Sequence, residues 1–329
     1  MSNILVTGAS GFVGQTLCSA LISAEYSIRA VVRSAELVSA VNRLEVVTVS
    51  DIGANTEWPT LLKDVDCIVH CAGHAHVMGD KEAANFMNYR AVNVEGTRRL
   101  AEQAVLSDVK RLVYISSIKV NGEQTPTGVG FTADDIAKPV DPYGISKWEA
   151  EKALFEIGAR TGLEVVIIRP PLVYGPGVKG NFYSMLKWLS CGIPLPLGAI
   201  HNMRSLVGID NLVYLIITCI HHPAAANQTF LVSDGEDLST TELLHRLGKA
   251  LYKPSRLLPV SASALELTAQ WVGKRAVAQR LVGNLQVDIS KTRKVLGWSP
   301  PVSVDEGLKR TADWYLKRPL ISPSPMLWK

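Results

Sequence analysis

Only five cysteines occur in 329 residues, and no two of them are spaced C-x-x-C. Cys18, Cys67, Cys71, Cys191 and Cys219 form a scattered, odd-numbered set, partly inside apolar runs such as DCIVHCAG. That usage argues against a disulfide framework and predicts reduced thiols in a cytoplasmic protein. Long hydrophobic runs are missing as well. The richest stretch, LVYLIITCI at 212–220, is well short of the ~20 residues that a spanning helix needs. The opening MSNILVTG has no basic stretch leading into a long apolar run, so no signal peptide is expected there. An excess of one charge sign is absent too. With 34 Lys and Arg against 30 Asp and Glu, the net charge is +4, which leaves no electrostatic footprint for nucleic acid. Neither an internal repeat nor a low-complexity tract is present.

What is there is an ordinary globular composition, 47% apolar and 19% charged, in a length that suits two domains or one large α/β unit. Short β-branched runs at 3–8, 27–32, 44–50, 66–72, 110–116 and 164–170 alternate with segments of helical period, clearest at 82–106 and 143–161. Near-continuous apolar strands separated by helices predict a Rossmann-type doubly wound parallel sheet, an α/β fold covered on both faces. After residue 171 the rhythm changes to Pro/Gly-rich turns with isolated helices near 181–191, 209–221, 239–251 and 303–317. Residues 1–170 are therefore read as a dinucleotide-binding domain and 171–329 mainly as a smaller substrate domain, with a return to the first at about 205–222.

The run ILVTGASGFVGQTL sets Gly8, Gly11 and Gly14 three apart between a strand and a helix. Glycines there let the backbone turn tightly against a pyrophosphate, whose charge faces the helix N-terminus, with Phe12 and Val13 opening that helix. The second strand ends RAVVRSAE, with Arg33 and Ser34 where an NAD site usually offers a carboxylate. A guanidinium suits a 2′-phosphate, so the reading leans to NADP(H) over NAD(H); a solvated loop cation is the alternative. Arg29, four residues earlier, points elsewhere if the strand alternates.

TGASGFVG, HCAG at 70–73, NVEGT at 93–97, YISS at 114–117, PYGISK at 142–147 and RPPLVYGPG at 169–177 follow one another in the order and spacing of a known family. In these motifs the chain resembles the extended short-chain dehydrogenase/reductase family over nearly its whole length, down to GWSP at 297–300. The resemblance is to the nucleotide-sugar epimerase and reductase branch, nearest to UDP-4-keto-6-deoxy-N-acetylhexosamine reductases. It implies that Ser117, Tyr143 and Lys147 form the catalytic cluster, with Lys147 also holding the nicotinamide ribose. It further implies that Asp51 and Ile52 flank the adenine, that Ala72, Gly73 and Pro170 line the dinucleotide, and that Asn93 stands on the cofactor side. For Ile52 and Ala72, plain packing is the alternative. A homodimer is implied through paired helices, to which Trp148, Leu154 and Ile157 are suited, though core packing would suit them equally.

The chemistry makes sense of these residues. Hydride transfer at an alcohol carbon requires a proton to move at its oxygen. A phenol with an ordinary pKa of ~10 is a sluggish base at neutral pH. An ammonium one helical turn away, together with the positive nicotinamide ring, is expected to lower it. Ser117 is assigned to the substrate oxygen, while Ser116 points to the other face by alternation. Ile118 and Lys119 stand where sugar dehydratases of the family carry Asp-Glu, so β-elimination is disfavoured; Lys119 is read as a surface charge.

In the second half Asn181 matches an asparagine that contacts sugar-nucleotide phosphates in the family. Arg204 and Arg280 are candidate cations for the diphosphate of a UDP-sugar, with surface ion pairs as the alternative. His74 and His76 lack acidic or cysteine partners and make no metal site; bordering the sugar pocket or facing solvent is expected. The leading expectation is an NADP(H)-dependent reductase acting at carbon 4 of a UDP-linked 4-keto-6-deoxy-N-acetylhexosamine in surface polysaccharide synthesis. The alternative is a UDP-hexose 4-epimerase that retains NAD. A non-catalytic nucleotide sensor ranks third, since all three catalytic residues are present.

Overall fold

The computed structural model describes residues 3–34, 43–74, 87–271 and 275–317. Strands β1 (Asn3–Thr7), β2 (Ser27–Val32), β3 (Leu44–Thr48), β4 (Cys67–His70), β5 (Arg111–Ile115) and β6 (Glu164–Arg169) lie within a residue or two of the expected runs. A seventh strand, β9 (Gln228–Leu231), adds to them in the order β3-β2-β1-β4-β5-β6-β9, parallel throughout. A smaller sheet holds β7 (Leu172–Tyr174), β8 (Arg204–Gly208) and β10 (Asp237–Leu238) in the order β10-β8-β7.

The helices are α1 (Phe12–Ser23), α2 (Pro59–Leu62), α3 (Thr97–Leu106), α4 (Pro142–Thr161), α5 (Gly180–Ser190) and α6 (Ile209–His221). They continue with α7 (Thr240–Ala250), α8 (Ala262–Trp271), α9 (Arg275–Val282), α10 (Ser290–Leu296) and α11 (Val304–Leu316). The helix expected over 82–106 departs from regularity. Residues Arg90–Gly96 form a π-helical turn ahead of α3, and 75–86 lie outside the described residues. The Asn93 amide provides a physical reason. It accepts from the His74 N–H at 2.7 Å and donates to the His74 carbonyl and to Ser146 Oγ, which holds the local backbone away from a plain α path.

Both sheet faces are covered by apolar side chains. One packs Ile4, Val6, Leu17, Val113 and Ile168 with α6; the other packs Leu5, Trp58, Leu100, Tyr114, Leu154 and Ile157 beneath α3 and α4. Leu154 and Ile157 are thus core residues and are not free for a dimer face; Trp148, half-buried, has Lys152 Nζ 4.7 Å from its ring centroid. A third core lies in the second half, around Tyr174, Phe182, Leu244 and Leu308, and Phe12 packs against both it and the first. Arg29 points away from the crevice, held by Glu45 at 2.7 Å and by the carbonyls of Leu61 and Lys63, and not by alternation, which sets residues four apart on one face. No helix among the described residues is long and apolar enough to cross a membrane.

Candidate active site

The strand order reverses between β1 and β4, and the loops after their carboxyl ends frame the crevice where α/β sheets bind ligands. Gly8 has φ +65°, and a Cβ there would sit 2.8 Å from the Ala72 nitrogen, so only glycine lets the two loops meet. Gly11 caps α1 without any side-chain hydrogen bond, and no acid occupies the first turn. Its N–H groups are therefore available to an anion. Gly14 is buried within α1, while Phe12 and Val13 are partly buried. Beyond β4, the space over Gly73 is bounded by Asn93 Oδ1 and Lys147 Nζ, each 3.2 Å from where a Cβ would lie. A backbone cradle free of side chains, an uncapped helix start and a buried ammonium fit a dinucleotide diphosphate and ribose.

The remaining sequence-expected positions divide. Arg33 and Ser34 are exposed at the end of β2. Asp51 is exposed and accepts from the Ile52 N–H at 2.8 Å, whereas Ile52 is buried in the core. Ala72 packs against that same core and donates to Thr7 Oγ1. Asn93 spends both donors on His74 and Ser146, the helix-kink role. The Pro170 carbonyl receives the Ile118 N–H at 3.0 Å and pins the turn after Ser117.

Asp141 caps α4, accepting from the Gly144 N–H at 2.7 Å, and Pro142 supplies a preset φ at the first helical position. Gly144 is needed because a Cβ would lie 2.8 Å from the Lys119 carbonyl. That close approach sets the first turn of α4 against the Ser117 turn, and places Ser117 where it favours the charged form of Tyr143. Tyr89 meets the Tyr143 ring edge-on at 5.9 Å, and His74 packs on Tyr89 at 5.2 Å. His74 thus borders the tyrosine cluster; His76 lies outside the described residues. Among the described residues, no cluster of His, Cys, Asp or Glu could hold a metal.

Electrostatics correct one expectation. Burial pushes the Tyr143 phenol up to about 12, helped by the Asp141 carboxylate and opposed by the Ser117 hydrogen bond. The protein does not by itself make the phenol acidic. Lys147 is buried as well, and the same desolvation brings its pKa down to about 8, against the pull of Cys71 and Glu151. Its Nζ donates to the Ile115 carbonyl at 2.9 Å and stands 4.5 Å from the Tyr114 ring centroid. An ammonium has three donors, so donors remain for a ribose.

Several participants gave little sign in the sequence. Lys119, read as a lone surface charge, is ion-paired to Asp141 at the cap of α4. Ser116 donates to Glu151 Oε1 at 2.5 Å, and Glu151 forms a buried pair with Arg169. His70 lies between Thr7 and Thr97, its ring stacked 5.6 Å from Tyr114, and burial beside Lys147 lowers its pKa to about 3. Only the placement of these residues at strand ends and on one helix face hinted at them. In the second half, Asn181 is exposed at the start of α5. Arg204 spends Nη1 on the carbonyls of Arg280 and Gly283, which brings the two arginine-bearing segments together, and the Arg280 residue itself is exposed.

Together these define the class: a dinucleotide-dependent enzyme of the extended short-chain dehydrogenase/reductase type. Comparison with known proteins specifies it. Residues 4–233 match the NAD dependent epimerase/dehydratase family, and the chain belongs to that family. It is 50% identical to a UDP-glucose 4-epimerase of Vibrio cholerae, over 96% of each chain. It is 28% identical to an N-acetyl-α-D-glucosaminyl-diphospho-ditrans,octacis-undecaprenol 4-epimerase of Escherichia coli O157:H7, over 95% of each. Its fold superposes on a UDP-glucuronic acid 4-epimerase from Bacillus cereus in complex with NAD, with TM-score 0.77, 22% identity and coverage of 95% and 96%.

The Vibrio relative overturns the expectation of a 4-keto-sugar reductase. That expectation rested on motifs common to the whole branch and on Arg33. The cluster of Ser117, Tyr143 and Lys147 suits reduction and epimerisation equally, since both move one proton at one oxygen.

Proposed function

We propose that this enzyme is a UDP-hexose 4-epimerase that retains NAD, with UDP-glucose and its 4-epimer as substrate pair. The carrying observation is the 50% identity to a UDP-glucose 4-epimerase across 96% of both chains. The cluster of Ser117, Tyr143 and Lys147, and the absence of an acid at 118 and 119, are consistent with it.

NAD, when bound, would supply the hydride acceptor and donor for carbon 4. The residues of this chain do the rest. Tyr143 takes the 4-hydroxyl proton as the carbon is oxidised and gives it back on reduction, so that no net proton or electron is consumed. Ser117 holds the same oxygen. Lys147 binds the nicotinamide ribose with its remaining donors, and the uncapped start of α1 receives the diphosphate of the cofactor. The Lys147 ammonium, and the positive ring of oxidised NAD where it is bound, would act against the burial that raises Tyr143 to about 12. Arg204, Arg280 and Asn181 are assigned to the sugar-nucleotide side. Because an epimerase recycles its cofactor, it has no use for the reducing NADPH pool, and Arg33 is read as a solvated cation.

The test is to incubate the purified enzyme with UDP-glucose and no added reductant, following UDP-galactose by NMR. The expected result is an equilibrium mixture, with NAD and no 2′-phosphate released on denaturation. Absence of interconversion, with NADPH consumed only when a 4-keto sugar is supplied, would sink the proposal.

A further inference from the structure

One of the most basic stretches of the chain is also one of its most exposed apolar ones. From position 249 to 282 the sequence has six Lys or Arg and one acid, Glu266, a net +5 against +4 for the entire chain. The remainder of the protein sums to −1 (4 − 5), with a further +2 in the adjoining segment 283–304. Within it, α8 presents apolar side chains on two faces. Ala262, Leu265 and Ala269 are half-buried, and the first two lean on the core of the second half. On the opposite face, at spacings of three and four, Ala264, Leu267 and Trp271 face outward, with Leu267 57% and Trp271 84% exposed. No residue of α8 is buried. Tyr252 and Leu258, on the approach to it, are 75% and 51% exposed.

A helix whose outer stripe holds Trp and Leu, set in a strongly cationic stretch, matches the boundary of an anionic bilayer. The rings and methyls enter the headgroup region, and the cations meet lipid phosphates. A second copy of the chain is the poorer occupant: a two-fold contact would set two +5 stretches face to face. We propose that α8, with the basic stretch around it, docks this enzyme on an anionic membrane surface. The docked element adjoins the substrate side, because α8 packs against α9, whose Arg280 carbonyl accepts from Arg204 at 2.8 Å. The proposal is independent of the epimerase reading.

Flotation of the full-length protein with phosphatidylcholine vesicles, with and without phosphatidylglycerol, tests it. The wild type is expected to float with the anionic vesicles alone and to be released as salt shortens the Debye length to ~3 Å near 1 M. The double variant Leu267→Glu/Trp271→Glu is expected to lose at least tenfold in partitioning. Leu106→Glu, altering a residue 83% exposed on α3, should partition like the wild type. Turnover of soluble UDP-sugar and the melting temperature should match in all three, which separates lost docking from lost folding. The idea is overturned by equal flotation of the double variant, or by no flotation of the wild type. Self-association abolished by the double variant, with no lipid binding, would overturn it too and assign the stripe to a second copy.

Discussion

At the residue scale the decisive balance is between burial and charge at Tyr143. Burial and Asp141 hold the phenol near 12, so the free protein keeps it neutral at physiological pH. Turnover should accordingly climb with pH above neutrality. Tyr143→Phe should lower kcat by about 100-fold or more while leaving the melting temperature and NAD content unchanged; unaltered kcat would remove the proton-transfer role. Lys119 enters through Asp141. Pairing of the two offsets a carboxylate that disfavours phenolate, so Lys119→Met should move the alkaline limb of the rate profile upward by about half a pH unit to one unit. Lys119→Arg should restore it, whereas a purely structural lysine would leave the limb in place.

Lys147 adds a stability signature. Its folded pKa is about 8 against an ordinary 10.5, so between those values the unfolded chain binds more protons than the folded one. The Lys147 contribution to the stability of cofactor-stripped protein should therefore rise with pH across that window. The buried thiols Cys18, Cys67, Cys71 and Cys219, pushed by desolvation to about 12 from an ordinary 9.0, act in the opposite sense, and Tyr143 joins them above pH 10. Lys147→Met should make the slope of urea midpoint against pH, from 8 to 10, more negative than in the wild type, and an unchanged slope would show that the ammonium is not desolvated.

At the scale of elements, α4 is held to the sheet by charge as well as by apolar contact. Glu151, on the same face as Lys147, accepts from Arg169 at 2.6 Å and from Ser116, and Arg169 also donates to Asn121. Removing one partner leaves the other charge buried and unpaired, which costs about 3–5 kcal/mol. Glu151→Ala should lower unfolding free energy by that amount in urea titration and loosen the Ser117 turn. A loss below about 1 kcal/mol would mean that water satisfies Arg169. The sequence showed α4 plainly, through Pro142 at its start and its apolar period, but the pairing of Glu151 with Arg169 joins residues brought together only by folding.

Across the whole molecule, the two sheets are tied by Asp234. It accepts from Tyr174 Oη at 2.7 Å, the Gly208 N–H at 2.8 Å and Asn211 Nδ2 at 2.7 Å, while Phe12 packs into cores on both sides. Asp234→Ala strands three donors, each worth roughly 1–3 kcal/mol when left buried. The expected outcome is a lower melting temperature with one shared transition; two separate transitions would show that the halves unfold independently.

Strand runs, the glycine turn after β1 and the cluster of Ser117, Tyr143 and Lys147 were legible in the chain, because each depends on local periodicity or on residues a few positions apart. The parallel sheet followed from β-branched runs spaced by helices, and the uncapped start of α1 from Gly11. What only the tertiary structure decided is how far each side chain sits from water and what faces it. It turned the Tyr143 pKa upward, paired Lys119 with Asp141, gave the Asn93 amide to the backbone of His74 and put Arg204 against the carbonyls of Arg280 and Gly283. Desolvation and long-range pairing are set by segments far apart in sequence, and no local pattern encodes them.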